Sequence, residues 1–553
     1  KDGGEPRLVT RAEADFYGWL SQSFSPDGKR LYFLAYGPEG TRSVNVAFTP
    51  VLEAGAQIPA PQFLTSSRRV LSHLVLSADG RKLIYRDLGR LWLQELSPEG
   101  ELLGQPHSLT AGLAFYSSFS ADGKRLCYLT PQGLVLHDLE SGNTTPIPLE
   151  LDYEIPENCS SLLVRNVRLI DGTGSPPREG VDILVRNGRI ARIAPTGTIP
   201  AHRVEVLDAG GKTAIPGLID MHIHTRPGNP VAAHLYFGTT SYRDVGSPSY
   251  VLLAQVEAIR AGREIGPRVF YAGELFESPQ ASYAEASRLE IANEAQAIAH
   301  FERLAGLGYH VTKADPRSDS IPGPLQQVIV EQSHALGRPV TGHWNVQSIL
   351  RGMDGVEHNP RPWLGGRAYD DYLQLTARSG ICLTPTLQTS ASSLMAREHP
   401  EILDDPVIRR LIPAYHLDGF QARVAALTSE QVQTTRADFQ RRLAHLRRIR
   451  ELGGKIVAGT DTRLSGLSLH WELQHYVEAG MTPMEALLAA TREAAACLGY
   501  PHELGSIEEG KIADIVLLAA DPLEDISNTL RIAAVIHDGR VVDREKLLRP
   551  PQE

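Results

Sequence analysis

The chain has 553 residues, more than one hydrophobic core usually organises, so two or three domains are expected. Its 42% hydrophobic and 22% charged residues are the composition of a globular protein, and a net charge of -10 without a dense Lys/Arg run argues against nucleic acid or an anionic membrane as partner. A small molecule is the expected partner, with a second copy of the chain or a protein docked on the N-terminal repeats left open. No apolar stretch is long enough to span a bilayer and no signal peptide is visible. The chain starts at Lys1 rather than Met, so a processed or truncated start, and with it the choice between cytoplasm and periplasm or exterior, stays open. Cys127, Cys159, Cys382 and Cys497 lack C-x-x-C spacing and are expected as buried packing residues, since neither a thiolate site nor a disulfide framework can be read from them.

In chain order, one phrase comes first and recurs: "SFSPDGKRLYFLA" at 23–35, "VLSADGRKLIYRD" at 75–87 and "SFSADGKRLCYLT" at 118–130. Each sets alternating apolar residues on either side of a D-G turn, a hairpin signal because Gly accepts the positive φ such turns need. Repeats of four-stranded length predict β-propeller blades over residues 1–155. The phrase resembles the repeats of TolB-like propellers. Three blades are fewer than the roughly four to eight that close a ring, which predicts missing blades upstream or an arc completed by a partner.

After the linker "LDYEIPENCS", residues 156–214 read as short alternating strands with N-G and D-G turns, and the region 500–553 has the same texture. The two flanks are expected to pair into one composite β-sandwich. Between them, 215–499 alternates short apolar strands with amphipathic or Ala-rich helical stretches. The strands are "AIPGLIDMHIH", "TTSYRDVG", "PRVFYAG", "HVTKAD", "PVTGHW", "GVEHNP", "GICLTPTL" and "KIVAGTDT". Such a series predicts a TIM-like (β/α)8 barrel, with a long charged helical insertion at about 388–453 placed to cap its mouth.

Functional groups of this barrel belong at the C-terminal ends of its strands. His222 and His224 end the first strand, Lys313 the fourth, His343 the fifth, His358 the sixth and Asp461 the eighth. Alternate side chains of a strand share a face, so the H-x-H pair can converge on one point. Imidazoles and a carboxylate crowded at the end of an apolar barrel need partners, and a divalent cation supplies one; nitrogen and oxygen donors suit zinc, with manganese, iron or cobalt as alternatives. Arg226, Tyr242, Arg243, Trp344 and Arg361 lie close enough to these strand ends to be candidate substrate contacts, with pairing of Arg243 to Asp244 as the competing expectation. His470 is expected to cap or pack.

"PGLIDMHIH", "TKAD", "TGH", "VEH" and "AGTD", in that order and followed by "LGSIEEGKIADIVLLAADPL", resemble the amidohydrolase superfamily over roughly residues 160 to 545, specifically its binuclear-metal, prolidase-like and imidazolonepropionase-like branch. The resemblance implies that His222, His224 and Asp461 hold one divalent ion and His343 and His358 the other, with Lys313 bridging both as a carbamate. It further implies hydrolysis of a C–N bond (amide, peptide-like or cyclic amide) by a hydroxide shared between the ions, with Asp461 as the catalytic proton carrier. The alternatives are a lactonase or phosphoester hydrolase on the same metals, a one-metal deaminase, and a non-catalytic propeller scaffold.

Overall fold

The computed structural model describes residues 22–36, 44–51, 60–66, 71–87, 89–149, 154–155, 157–225, 231–278, 288–314, 321–358 and 368–548. The chain forms two compact units: one joins 1–152 with 274–309 and 314–332, the other joins 153–273 with 310–313 and 333–553.

In the first unit the recurring phrase builds the same turn three times. Ser25, Ser77 and Ser120 each donate to the aspartate two residues on, and each hydroxyl accepts the backbone N–H five residues on, from Arg30, Lys82 and Arg125 at 2.8–2.9 Å. The glycine after each aspartate has φ of 66–71°, the left-handed geometry that closes the turn. The turns open three four-stranded antiparallel sheets: Gln22–Phe24 through Gln62–Phe63, Ser72–Leu76 through Leu102–Ser108, and Phe115–Phe119 through Thr144–Pro146. Tyr32, Leu34 and Val46 pack on Leu74 and Leu83, while Ile84, Leu91 and Leu93 pack on Leu126 and Tyr128, so each sheet covers the next. Residues 274–309 join this unit through a buried ion pair: Arg303 pairs with Glu274 at 2.9 Å, Tyr116 donates to the same carboxylate at 2.9 Å, and the Arg303 guanidinium lies 4.7 Å from the Phe115 ring centre.

The second unit holds the two flanks and the barrel strands. Thr213–Pro216 pairs antiparallel with Ile515–Leu518, and through this pairing 161–216 and 515–541 share one eight-stranded sheet. Residues of both flanks, among them Val164, Ile183, Ile515 and Ile536, fill a common core.

Each of the eight strand sequences contributes a strand. Leu218–Ile223, Thr239–Asp244 and Arg268–Tyr271 run parallel, and Val340–His343, Gly355–Glu357, Cys382–Thr384 and Lys455–Ile456 continue in parallel order. The stretch leading into Thr312–Ala314 links these sets: His310 N donates to Tyr271 O (2.8 Å) and Thr312 N to Pro339 O (2.9 Å). On the other side the first strand meets the eighth, where Met221 N donates to Ala458 O (2.8 Å) and Asp461 N to His222 O (2.9 Å). Gly459 permits that approach, since a Cβ there would lie 2.9 Å from His222 N and 2.4 Å from the Thr384 methyl.

Between the seventh and eighth strands stand helices Gln388–Glu398, Pro406–Leu411, Ala414–Ala425 and Ser429–Glu451, the helical stretch expected there. The last begins with a capping box between Thr428 and Gln431. Two cysteine expectations need correction: Cys382 and Cys497, 115 residues apart, form a disulfide from the seventh barrel strand to helix Arg492–Cys497, and Cys159 is exposed. Sequence spacing could not reveal this bond, because the barrel alone brings the two Cα atoms to 6.2 Å. Among the described residues no helix is long and apolar enough to cross a membrane.

His470 packs as expected, fully buried, with its ring nitrogens on Thr529 Oγ1 (2.9 Å) and Phe237 O (2.8 Å). Burial pushes its pKa down to about 4. Between the unfolded value near 6.5 and 4 the unfolded chain binds the extra proton, so stability falls as pH drops through this window. The loss at the acid end is about 3 kcal/mol for this residue. Denaturant titrations at pH 7 and pH 4.5 check it: His470→Gln should flatten the pH dependence, and an unchanged slope would assign the acid sensitivity elsewhere.

Candidate metal centre and adjoining cavity

His222 belongs to the first barrel strand and His224 follows it directly; their rings lie 5.2 Å apart. His343 ends the fifth strand and His358 follows the sixth, with ring centres 4.9 Å apart, and the His222 and His358 rings are 5.0 Å apart. Asp461 joins them from just beyond the eighth strand. Its Oδ1 lies 3.6 Å from His224 Nε2 and 3.8 Å from His222 Nε2, and its Oδ2 lies 4.0 Å from His358 Nε2. Lys313 is buried on Thr312–Ala314, and its charge acts on both Glu357 and His358.

The other nitrogen of each ring decides how these imidazoles face. His222 Nδ1 lies 2.8 Å from Glu357 Oε2, His224 Nδ1 2.7 Å from Gly246 O, and His358 Nδ1 2.6 Å from Thr386 Oγ1. A carboxylate and a carbonyl only accept, so His222 and His224 donate from Nδ1 and direct Nε2 toward Asp461. Burial, followed by the charges of His222, His343 and Lys313, holds His358 well below the ordinary histidine range. Imidazoles converging on a carboxylate are a donor set that fits divalent ions, and one ligand atom each from His222, His358 and Asp461 falls within a 4.8 Å span.

His358 and Asp461 have φ of 67° and 51°, and Thr386, which meets His358, has 45°. Non-glycine residues occupy this region at a cost, and three of them here turn strand ends so that polar groups face one point.

Glu357 is the organising residue that the sequence reading passed over. It is fully buried, with Arg243 Nη2 2.6 Å from Oε1, and it also accepts from Thr341. Burial raises a carboxyl, but here Arg243, His222 and Lys313 outweigh it and hold Glu357 well below the usual carboxylate range. The available signal was an acid inside an apolar strand, next to a predicted ligand.

Two substrate-contact expectations are corrected. Arg243 is directed into the barrel, donating to Met221 O (2.7 Å), Glu357 and Thr384, and it does not take Asp244 as partner; Asp244 accepts from Thr225, Gly246 and Ser247. Tyr242, its neighbour, alternates to the opposite side, where its ring centre lies 4.9 Å from that of His234 in a tilted arrangement and its hydroxyl lies 3.5 Å from Gln255. Trp344 donates from Nε1 to Thr376 Oγ1 at 2.9 Å and packs edge-on against Tyr372. Arg226 and Arg361 lie outside the described residues.

A cavity of about 210 Å³ adjoins His224 and Asp461 and is walled by helices of the insertion and by the loop Thr462–Leu464. Among the described residues a second acid–imidazole group, Asp514, His537 and Asp538, has a comparable span. There Arg268 already provides the cation, pairing with Asp514 at 2.7 Å and with Asp538.

Residues 213–542 match the family model described as the amidohydrolase family. The chain is 26% identical over 381 residues to the adenine deaminase of Moorella thermoacetica, covering 65% of this chain and 54% of that protein. It is 24% identical over 441 residues to the imidazolonepropionase of Symbiobacterium thermophilum, covering 70% and 95%. The chain thus spans about half the length of the first relative and nearly all of the second. A Xaa-Pro dipeptidase structure with bound methionine in the active site shares the fold, with TM-score 0.55, 22% identity, and coverage of 69% of this chain and 100% of that one.

Replacing Glu357 by Gln removes the acceptor that fixes His222. Affinity for zinc, measured by chelator competition, should drop about 10–100-fold, as expected for losing the outer partner of a metal-binding histidine; unchanged affinity would mean that Glu357 does not set the ring.

Proposed function

Because the chain belongs to the amidohydrolase family, we propose that it is a metal-dependent hydrolase of a C–N bond in a small amide, peptide-like or cyclic amide substrate. The observation that carries the reading is the convergence of four imidazoles and one carboxylate beside a buried lysine. His222, His224 and Asp461 would hold one divalent ion and His343 and His358 the other, zinc being the first candidate, with manganese, iron or cobalt as alternatives. Lys313 would bridge the two as a carbamate, a role its burial supports, since an amine captures carbon dioxide only when deprotonated. When bound, such ions polarise a carbonyl and lower the pKa of water from about 16 to about 7.

The chain's own residues do the rest. Asp461 takes the proton of the attacking water and returns it to the departing nitrogen, so that amide and water become carboxylic acid and amine. Its backbone N–H on His222 O fixes the carboxylate beside His222 and His224, the histidines with which it would hold an ion. The cavity next to His224 and Asp461 receives the substrate. The N-terminal sheets are read as blades of a TolB-like propeller, supported by three repeats of one turn and by sheet-on-sheet packing.

Asp461→Asn keeps the shape and removes the base. Against a panel of N-acyl amino acids, dipeptides and cyclic amides with added divalent metal, kcat should fall about 10²–10⁴-fold. Chelator should silence the wild-type protein and added metal restore it. Near-wild-type turnover by the variant, or activity indifferent to chelator, would refute the assignment.

A further inference from the structure

The ring of His358 is held by a turn that lies behind the metal centre. Thr386 follows the seventh strand, Cys382–Thr384, and its Oγ1 lies 2.6 Å from His358 Nδ1, which leaves His358 Nε2 toward Asp461 at 4.0 Å. Thr386 is fully buried with φ of 45°, a left-handed geometry that a β-branched residue keeps only where its surroundings impose it. Two buried side chains from two different helices provide those surroundings.

Arg442 belongs to helix Ser429–Glu451 of the insertion. It is buried beside Phe439, Leu443, Leu446 and Ile449, whereas the other arginines of that helix reach solvent. A guanidinium withdrawn from water needs acceptors, and the turn supplies four. Arg442 Nη2 donates to Pro385 O (3.1 Å) and Thr386 O (3.0 Å), and Nη1 donates to the hydroxyls of Thr389 (3.0 Å) and Ser390. Glu472, fully buried, comes from helix Leu467–Glu478 after the eighth strand. Its two oxygens accept from Leu387 N and Gln388 N, each at 2.9 Å. The arginine therefore takes the carbonyls of the turn and the glutamate takes the next two N–H groups, so four consecutive residues, 385 to 388, are tied down from both sides. Buried backbone groups at the end of a strand and the start of a helix have no ladder partner of their own, and these two side chains satisfy them.

We propose that Arg442 and Glu472 are positioning residues: they fix the turn that presents Thr386, and Thr386 sets the His358 ring for the ion that His343 and His358 would hold. The insertion then has a task at the metal centre in addition to walling the cavity. Both residues act through the Thr386 hydroxyl, which is the outer partner of a metal-facing imidazole, and loss of such a partner typically weakens metal binding about 10–100-fold.

This inference rests on the reading of the histidines as a metal centre and is independent of the substrate. Zinc binding to the full chain, followed by chelator competition that resolves the two equivalents, tests it. Thr386→Val should weaken one equivalent about 10–100-fold and leave the other within about twofold, while Thr386→Ser, which keeps the hydroxyl, should stay close to wild type. Arg442→Gln should weaken the same equivalent. In the Thr386→Val background Arg442→Gln should cost no more than about a further twofold, because two residues acting through one hydrogen bond are not additive. Thermal unfolding of each variant confirms folded protein. Should Arg442→Gln fold poorly, Arg442→Gln/Glu472→Gln, in which neither side chain of the clamp is charged, takes its place in the cycle. Unchanged zinc affinity in Thr386→Val, or losses from Thr386→Val and Arg442→Gln that add in full, would overturn the proposal while leaving the metal centre standing. A wild-type chain that binds no zinc would refute the metal-centre reading and the clamp together.

Discussion

Everything at the mouth of the barrel depends on how the first strand is held to the eighth. Asp220, fully buried, accepts from His222 N and Thr460 N, each at 3.1 Å, and from Thr460 Oγ1 at 2.8 Å. Burial pushes its carboxyl up to about 6 even though these donors favour the charged form. That single side chain clamps residues 240 positions apart, and the adjacent bond from Asp461 N to His222 O completes the join. The H-x-H pair and Asp461 thereby become neighbours although the chain places them at opposite ends of the barrel segment. Gly459 is part of the same join, since any side chain there would push the strands apart.

Glu357 extends this order across the barrel. It receives Arg243 from the second strand, Thr341 from the fifth and His222 from the first, so one buried carboxylate fixes both a ring tautomer and the spacing of three strands. Removing one partner of such a buried pair strands the other charge, which costs about 3–5 kcal/mol. The arrangement makes the direction of His222 Nε2 toward Asp461 a property of the scaffold. A preformed donor set of this kind suits catalysis, because little reorganisation is left to the reaction itself.

The barrel strands were legible in the chain because each joins an apolar run to a polar residue at its end, and the residues His222, His224, His343, His358 and Asp461 follow that rule. The three D-G turns were legible because Ser, Asp and Gly each have a fixed task in them. Simple alternation failed at Glu357, which faces inward beside His358 because the backbone turns to φ 67° at the histidine. It also misplaced Arg243, whose partner lies 114 residues away, beyond reach of any local pattern. The Cys382–Cys497 bond and the hold of Arg442 and Glu472 on the turn after the seventh strand share that origin: they are products of closure, with no periodicity to announce them. The strands at Leu275–Glu277 and Arg288–Glu290, which pair parallel with each other and join Thr312–Ala314 through Phe276 and Ala314, were likewise absent from the eight-strand pattern.

The central claim is that side chains from five strand ends form one site for a pair of divalent ions. Crystals of the protein grown with zinc, with diffraction recorded on both sides of the zinc absorption edge, test it most directly. The account predicts two anomalous peaks, one against His222, His224 and Asp461 and one against His343 and His358, with Lys313 reaching between them. No peak among these residues, or a peak confined to Asp514, His537 and Asp538, would contradict it.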